Sequence, residues 1–354
     1  MKKLLYIATD LNSTGGVSRV LSVKVNYLVE KLSYDVHIIN THKTNVEPFY
    51  YFNKKVHIHS LGKNYNFHQL NRYKRTINKK INEIKPDAII NCDNGLKGAL
   101  LPFLIKYKKP LIFENHSSES VKHFNLKLKL KALFFNLNKA KYNYVVKLQK
   151  SIKLQDKNIK IIPNPLSFEI PIEKPNFENN IAIAVGRISN EKDYKTLLKV
   201  WNQVVKKYPN WHLRIYGEGD KTHLINLTRK LDLLNNVSFL EPEHNIKERY
   251  LESSMLLNTS KYESFGLTLI EALACGLPVM AFKDTLDYKH YFDDNNSVFL
   301  VEEYSINEYV DTVCFLIDHL KKIEDLSVNA KNSVKEFEQH IIMQQWDDLF
   351  QSLA

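Results

Sequence analysis

Short runs rich in β-branched and aromatic residues alternate with longer polar-apolar periodic stretches almost from end to end of this chain. A strand, a helix and another strand in succession are joined most simply by a crossover that lays the second strand parallel to the first. The pattern therefore predicts β/α units wound on parallel sheets. Strands are expected at Leu4–Ala8, Val36–Ile39, Ala88–Asn91, Leu111–Glu114, Tyr144–Lys147 and Lys160–Ile162, then at Ile181–Val185, His212–Tyr216, Val237–Leu240, Met255–Asn258 and Pro278–Ala281. Between these two sets lies "PNPLSFEIPIEKPNFENN", Pro163 to Asn180, with four prolines and no helical period. Proline removes a backbone donor and breaks both helix and central strand, so this stretch reads as a linker. At 354 residues the chain exceeds one ordinary domain. Two doubly wound α/β domains are expected, over residues 1–168 and 169–335. The remainder, residues 336–354, reads as an amphipathic helix with Ile342, Trp346, Leu349 and Phe350 near one face.

The apolar share of 44% and charged share of 25% are those of a soluble globular protein, which excludes disorder as the dominant state. Cys92, Cys275 and Cys314 are odd in number and lack metal-ligand spacing, so neither a disulfide framework nor a zinc site is expected, and a reducing cytoplasm fits. The apolar stretch of the N-terminus stops at Asp10, too soon for a signal peptide, and no segment reaches the length of a membrane span without charges. Charge is uneven. Up to Pro165 there are 30 Lys and Arg against 10 Asp and Glu, and beyond it 20 against 29. Val121 to Gln155 alternates Lys with Leu and Phe and contains no acid. Such a surface suits an anionic membrane, a solvated helix face or nucleic acid. With no nucleic-acid motif beside it, the membrane is the expected partner. The expected location is cytoplasmic, peripheral at the inner face of the cell membrane.

"KYESFGLTLIEALACGLPVMAF", Lys261 to Phe282, places Glu263 in the loop after a strand and Glu271 one to two turns into the following helix, which Gly276 ends. Ligands of open α/β sheets bind at the carboxyl edge of the strands. The N–H groups of Phe265, Gly266, Leu267 and Thr268 at the helix start attract phosphate. A plainer reading is a buried helix acid beside a polar loop acid. "AIAVGRISNEKDY" presents Arg187 and Lys192 after a strand, a planar fork and a movable point charge that suit a diphosphate, or simply a solvated loop. Gly217, in "YGEGD", lets a backbone approach a nucleotide, although half a G-x-G-x-x-G pattern is weak evidence. Gly15 and Gly16 open another helix after a strand, as a phosphate or sugar contact or as a flexible turn. "PLIFENH" puts Glu114 and His116 at a strand end, His116 as a contact to a sugar or as a capping residue.

Taken together these segments resemble the retaining glycosyltransferases of family 4, with their E-x7-E signature and two Rossmann-like domains in the GT-B arrangement around an interdomain cleft. The resemblance implies that Glu271 takes the ribose hydroxyls of a nucleotide sugar, Glu263 and His116 meet the donor sugar, and Arg187 and Lys192 neutralise the leaving nucleoside diphosphate. It also implies that Asn164 in "IPNP" lies near the cleft and that the C-terminal helix crosses back onto the first domain. The chain departs from the family pattern at Ser264 and Glu241, where glycine is usual, and in "KDTLDYKHYF", which lacks a Gly-rich acidic loop. No Asp-x-Asp, P-loop, G-x-S-x-G or H-E-x-x-H occurs. No metal or other cofactor is expected. The expected reaction moves a hexose or N-acetylhexosamine from a UDP-linked donor to a glycan or polyprenyl-diphosphate-linked acceptor. A nucleotide-sugar epimerase and a non-catalytic basic protein that binds membranes or polyanions are the alternatives.

Overall fold

The computed structural model describes residues 2–42, 47–61, 65, 67–116, 141–148, 158–285, 297–302 and 305–353. Contacts divide the chain into two compact units, one built from the described residues up to Pro165 together with those from Gln339 on, the other from those of Leu166–Glu338. Most of the basic segment Val121–Gln155, and part of "KDTLDYKHYF", lie outside the described residues.

The first unit runs β1 (Lys3–Ala8), α1 (Gly16–Glu30), β2 (Asp35–Asn40), β3 (His57–Ser60), α2 (Leu70–Ile84), β4 (Ala88–Asn91), α3 (Leu96–Leu104), β5 (Leu111–Asn115), β6 (Tyr144–Lys147) and β7 (Ile159–Ile161). Its sheet has the order β3-β2-β1-β4-β5-β6-β7, and every pairing is parallel. Successive residues of a strand point to opposite faces. Leu4, Tyr6 and Ala8 accordingly join Leu21, Val25 and Leu28 of α1 in one core, while Leu5 and Ile7 join Tyr73, Ile77 and Ile81 of α2 in another. Two-sided burial is why β1 reads as an unbroken apolar run.

The second unit runs β8 (Ile181–Val185), α4 (Tyr194–Lys207), β9 (His212–Tyr216), α5 (Thr222–Lys230), β10 (Val237–Leu240), α6 (Ile246–Leu251), β11 (Met255–Leu257), α7 (Leu267–Cys275), β12 (Val279–Phe282), β13 (Val298–Val301), α8 (Ile306–Asp318) and α9 (Leu320–Ser333). Its sheet, also parallel throughout, has the order β10-β9-β8-β11-β12-β13. Ala182, Ala184, Leu213, Ile215, Met255 and Leu257 form a core with Leu197, Trp201 and Val204 of α4. The Leu166 N–H donates to the Phe337 carbonyl at 2.7 Å, so the segments by which the chain enters and leaves this unit lie side by side.

The chain ends in α10 (Gln339–Gln351), which belongs to the first unit. Its Ile342, Met343, Trp346, Leu349 and Phe350 are buried in the core that β1 and α1 line. Lys2 Nζ reaches the Phe350 carbonyl at 2.7 Å, and the Tyr34 hydroxyl donates to Asp347, tying the C-terminal part of the helix to the residues just before β1 and β2.

The structure contains two strands that periodicity did not point to. β3, His-Ile-His-Ser, is an exposed edge strand with a single aliphatic residue, so it carries no apolar alternation. β13 is a four-residue edge strand that follows a polar stretch. Several strand ends also differ by one residue, at β1, β2, β5, β7, β11 and β12. β7 begins at Ile159 and stops at Ile161, and β11 ends at Leu257. β12 starts after Pro278, whose carbonyl accepts from Leu256 at 2.9 Å but whose nitrogen has no proton to give the ladder. Among the described residues no helix is long and apolar enough to cross a membrane.

If α10 is part of the core of the first unit, Trp346→Ala should destabilise it by about 3–5 kcal/mol, the usual cost of deleting a buried aromatic. A denaturant titration followed by circular dichroism checks this, and an unchanged midpoint contradicts it.

Candidate functional site

In a doubly wound sheet the loops on either side of the place where strand order reverses diverge and leave a crevice at the carboxyl edge. In the second unit that place lies between β8 and β11, which are neighbours although two strands separate them in sequence. Arg187 and Lys192 follow β8, and Glu263 follows β11. The corresponding place in the first unit is between β1 and β4. Gly15 and Gly16 follow β1, and His116 follows β5, the next strand along.

The centre of the second unit's site is Glu263. Its Oε1 accepts from Lys192 Nζ, from Ser260 Oγ at 2.8 Å and from Asn258 Nδ2 at 3.2 Å. Three donors thus converge on one carboxylate oxygen, and among the described residues none reaches Oε2. Burial acts to raise the carboxyl pKa, but the Lys192 ammonium and the hydrogen bonds from Lys192, Ser260 and Asn258 outweigh it and hold the group below the ordinary carboxylate range. The loop is pinned at both ends of this contact. The Glu263 N–H donates to the Thr285 carbonyl at 2.7 Å, and the Lys261 N–H donates to the Glu191 carbonyl at 2.7 Å.

Lys192 is aimed by glycines. A Cβ on Gly186 would lie 2.8 Å from Lys192 Cε, and a Cβ on Gly217 would lie 1.9 Å from the Gly186 carbonyl oxygen. The missing side chain of Gly217 is therefore used by the protein itself, to let the loops after β8 and β9 touch and so position the lysine. Arg187 behaves differently. Its side chain is 58% exposed, and its nearest acid is Glu191 at 3.9 Å, so the guanidinium stands at the surface.

Glu271 sits in the fifth position of α7 and is buried, 4% exposed. One carboxylate oxygen accepts from the Ser167 hydroxyl and the other from the Tyr250 hydroxyl at 3.1 Å. The α7 N-cap, Gly266, has φ +74, a left-handed conformation that glycine adopts without a Cβ penalty. The Gly266 carbonyl accepts the first helical bonds, from Leu269 and Ile270. The N–H groups of Leu267 and Thr268 precede that ladder and have no partner within the helix. Phe265 is buried against Phe337, ring centroids 5.6 Å apart, so it supports the loop through its side chain.

In the first unit Gly16 begins α1 and Gly15 caps it in an extended conformation, its N–H donating to Ser13 Oγ at 3.1 Å. Glu114 and His116 belong to a buried network. Lys24 Nζ, from the middle of α1, donates to Glu114 Oε1 at 2.6 Å; the Cys92 thiol donates to Oε2 at 3.3 Å, and His116 Nε2 lies 3.3 Å from Oε1. Burial favours the neutral acid, yet the charge of Lys24, then His116 and the hydrogen bonds, overcome it and hold Glu114 well below the usual carboxylate range. Burial, reinforced by the Glu114 charge, pushes the Cys92 thiol well up, so it acts as a donor rather than a nucleophile. Asn164 is buried in this unit, 6% exposed.

Sequence reasoning missed Lys24, Ser167, Tyr250, Asn258 and Ser260, which hold the acids. Lys24 left a signal: a charge on the apolar face that Leu21, Val25 and Leu28 define. Ser260 and Asn258 had none, because polar residues after a strand are the rule in any α/β loop.

Residues 168–333 match the family described as glycosyl transferases group 1. A Haemophilus influenzae protein described as an uncharacterized glycosyltransferase is 27% identical over 354 residues, 98% of this chain and 99% of that one. The amylovoran biosynthesis glycosyltransferase AmsD of Erwinia amylovora is 26% identical, covering 99% of each chain. Among solved structures, Anabaena HepE in complex with UDP and glucose has a TM-score of 0.78 at 18% identity, with 100% of both chains covered. That likeness is one of fold, two Rossmann-like domains of the GT-B class.

Two outcomes test these networks. Lys24→Met leaves the buried Glu114 carboxylate without its lysine counter-charge and should cost about 3–5 kcal/mol of stability, read from chemical denaturation. Because the folded-state pKa of Glu263 is lowered, its contribution is fully present above its unfolded pKa of about 4.3 and is lost as pH falls through the folded value. Wild type should therefore lose stability more steeply than Glu263→Gln as pH falls below about 4.3; parallel pH profiles would remove the pairing from the account.

Proposed function

Since the protein is a glycosyltransferase whose residues 168–333 belong to the glycosyl transferases group 1 family, we propose that it moves a hexose or N-acetylhexosamine from a UDP-sugar. The acceptor in this reading is a lipid-linked or cell-surface glycan in polysaccharide biosynthesis, and the anomeric configuration is retained. The observation that carries it is the grouping, at the carboxyl ends of β8 and β11, of an exposed guanidinium, a lysine locked to a carboxylate, and a helix N-terminus.

Each part has a role in this reading. The N–H groups at the start of α7 and the Arg187 and Lys192 cations bind the diphosphate and stabilise the charge it gains on leaving. Their charge takes the place of a metal, consistent with the lack of an Asp-x-Asp pair in the chain. Glu263 Oε2 accepts a hydroxyl of the donor sugar. Glu271 already binds two hydroxyls, those of Ser167 and Tyr250, and a ribose diol offers the same kind of donor in exchange. In the first unit His116, oriented by Glu114, is a polar contact for a sugar hydroxyl. The bond from the anomeric carbon to the phosphate oxygen breaks as the acceptor oxygen bonds to the same face, and the departing phosphate takes the acceptor proton.

AmsD supports the glycan class by its part in amylovoran biosynthesis, and HepE supports the donor class by its bound UDP and glucose. The basic first half would hold the protein against an anionic membrane, where a polyprenyl-diphosphate acceptor resides. Sedimentation with anionic but not neutral vesicles checks that attachment.

A thermal-shift series with UDP, GDP and ADP, without added Mg2+ or Mn2+, tests the donor. UDP should raise the melting temperature of wild type by mass action, and Glu271→Ala should abolish the rise. Lys192→Ala should lower kcat about 100-fold with a smaller change in KM, because its interaction strengthens as charge develops. Stabilisation by GDP alone would reassign the base, and wild-type turnover in Lys192→Ala would remove the lysine from the reaction.

A further inference from the structure

The opposite edge of the first unit's sheet, at the amino ends of β1, β2 and β3, holds a cluster that the transferase reading does not use. Register builds it. Lys3 pairs with Asp35 and His37 with His57, so Asp35, His37, His57 and His59 project from one face of two neighbouring strands. His37 Nε2 lies 3.1 Å from Asp35 Oδ1, and His57 Nε2 lies 3.8 Å from the same oxygen. The ligand atoms of Asp35, His37 and His57 all fall within 4.8 Å of one another.

We propose that Asp35, His37 and His57 form a binding site for a divalent first-row transition metal of the zinc class, which ties the exposed edge strand β3 to β2. With metal–ligand bonds of about 2.0–2.1 Å, two ligands of a tetrahedral ion stand about 3.3 Å apart, and the two measured separations bracket that length. A proton shared between His37 and Asp35 accounts for the shorter separation but not for His57, which is too far from Asp35 for a hydrogen bond and yet stacks on His37 with ring centroids 4.7 Å apart. The supporting contacts are those that imidazole and carboxylate ligands need. His37 Nδ1 is 2.8 Å from His59 Nε2, so a His37 ligating through Nε2 donates its other N–H to His59, which sets tautomer and ring plane. Lys3 Nζ is 3.3 Å from Asp35 Oδ2, the oxygen turned away from the two imidazoles.

Two imidazoles and one carboxylate favour zinc, nickel or copper over magnesium or calcium, which take oxygen-rich sets. The His57 side chain is 57% exposed, so the ion has an entry path and a position open to water. Nearby cations, Lys3 at Asp35 and Lys80 at His59, limit affinity, and the role that follows is structural. Before the metal arrives β3 is a short, exposed edge strand. With it, strands more than fifteen residues apart in the chain are cross-linked.

The test uses the full chain without a histidine tag, titrated with Zn2+ near pH 7.5 by calorimetry and followed by thermal melting. One ion should bind per chain and raise the melting temperature of the first unit by about 5 °C at a hundredfold excess over Kd, whereas Mg2+ should not. His57→Ala, a change at an exposed side chain, should abolish both effects and leave the metal-free melt unaltered. A second candidate trio, Cys92, Glu114 and His116, provides the control. Zinc binding that survives His57→Ala, or that disappears in His116→Ala instead, overturns the proposal, as does the absence of any bound zinc.

Discussion

Parallel pairing is the constraint from which the rest of this structure follows. Neighbouring parallel strands cannot be joined by a tight turn, so the chain must leave each strand at the carboxyl edge and cross back to the amino edge, most often through a helix. The helices then cover both faces, and loops, free N–H groups and polar side chains are confined to the two edges. Where strand order reverses, at β1 and β4 and again at β8 and β11, the departing loops separate. The chemistry of both units collects there: Lys192, Glu263 and the α7 N-terminus in one, Gly15, Glu114 and His116 in the other. The histidines of β2 and β3 collect at the opposite edge for the same topological reason.

Each unit also buries an acid against a lysine, with different consequences. Lys24 and Glu114 are almost wholly enclosed, with side chains 1% and 3% exposed. Taking two charges out of water is costly, and the attraction between them seldom does more than offset it. Here part of that cost is met by Trp346 of α10, whose ring face lies 3.5 Å from the ammonium. The last helix of the chain thereby completes the polar interior of the first unit as well as its apolar core. Lys192 and Glu263 stand nearer the surface, 20% and 12% exposed, where the pair fixes the loop after β11 and leaves both groups partly open to solvent.

Close backbone contact links these features to the loops. Gly217 admits the Gly186 carbonyl, Gly186 admits the Lys192 stem, and Lys192 reaches Glu263. A side chain on either glycine would displace the lysine, so loops after three strands act as one rigid support. This is the kind of positioning on which catalysis by charge stabilisation depends, since a donor or cation displaced by an ångström loses most of its effect.

Fold class, and the placing of Glu263 in a loop and Glu271 in a helix, were legible in the sequence because both rest on local regularities. Two-sided burial writes apolar runs such as Leu4–Ala8, helix periodicity separates them, and glutamates eight residues apart across a Gly-capped helix start mark a loop acid and a helix acid. Edge strands β3 and β13 escaped because an exposed edge imposes no such alternation. What only the tertiary structure decided is who meets whom across long stretches of chain. Glu114 finds Lys24 across 90 residues and Glu271 finds Ser167 across 104, separations at which spacing carries no information. The same holds for Asp35, His37 and His57, which are ordinary polar residues until parallel register sets them side by side. Sequence determines which residues prefer strand, helix or loop, since those preferences are local. Partnership between distant side chains depends on the order in which strands are laid into the sheet, and that order exists only once the chain has folded.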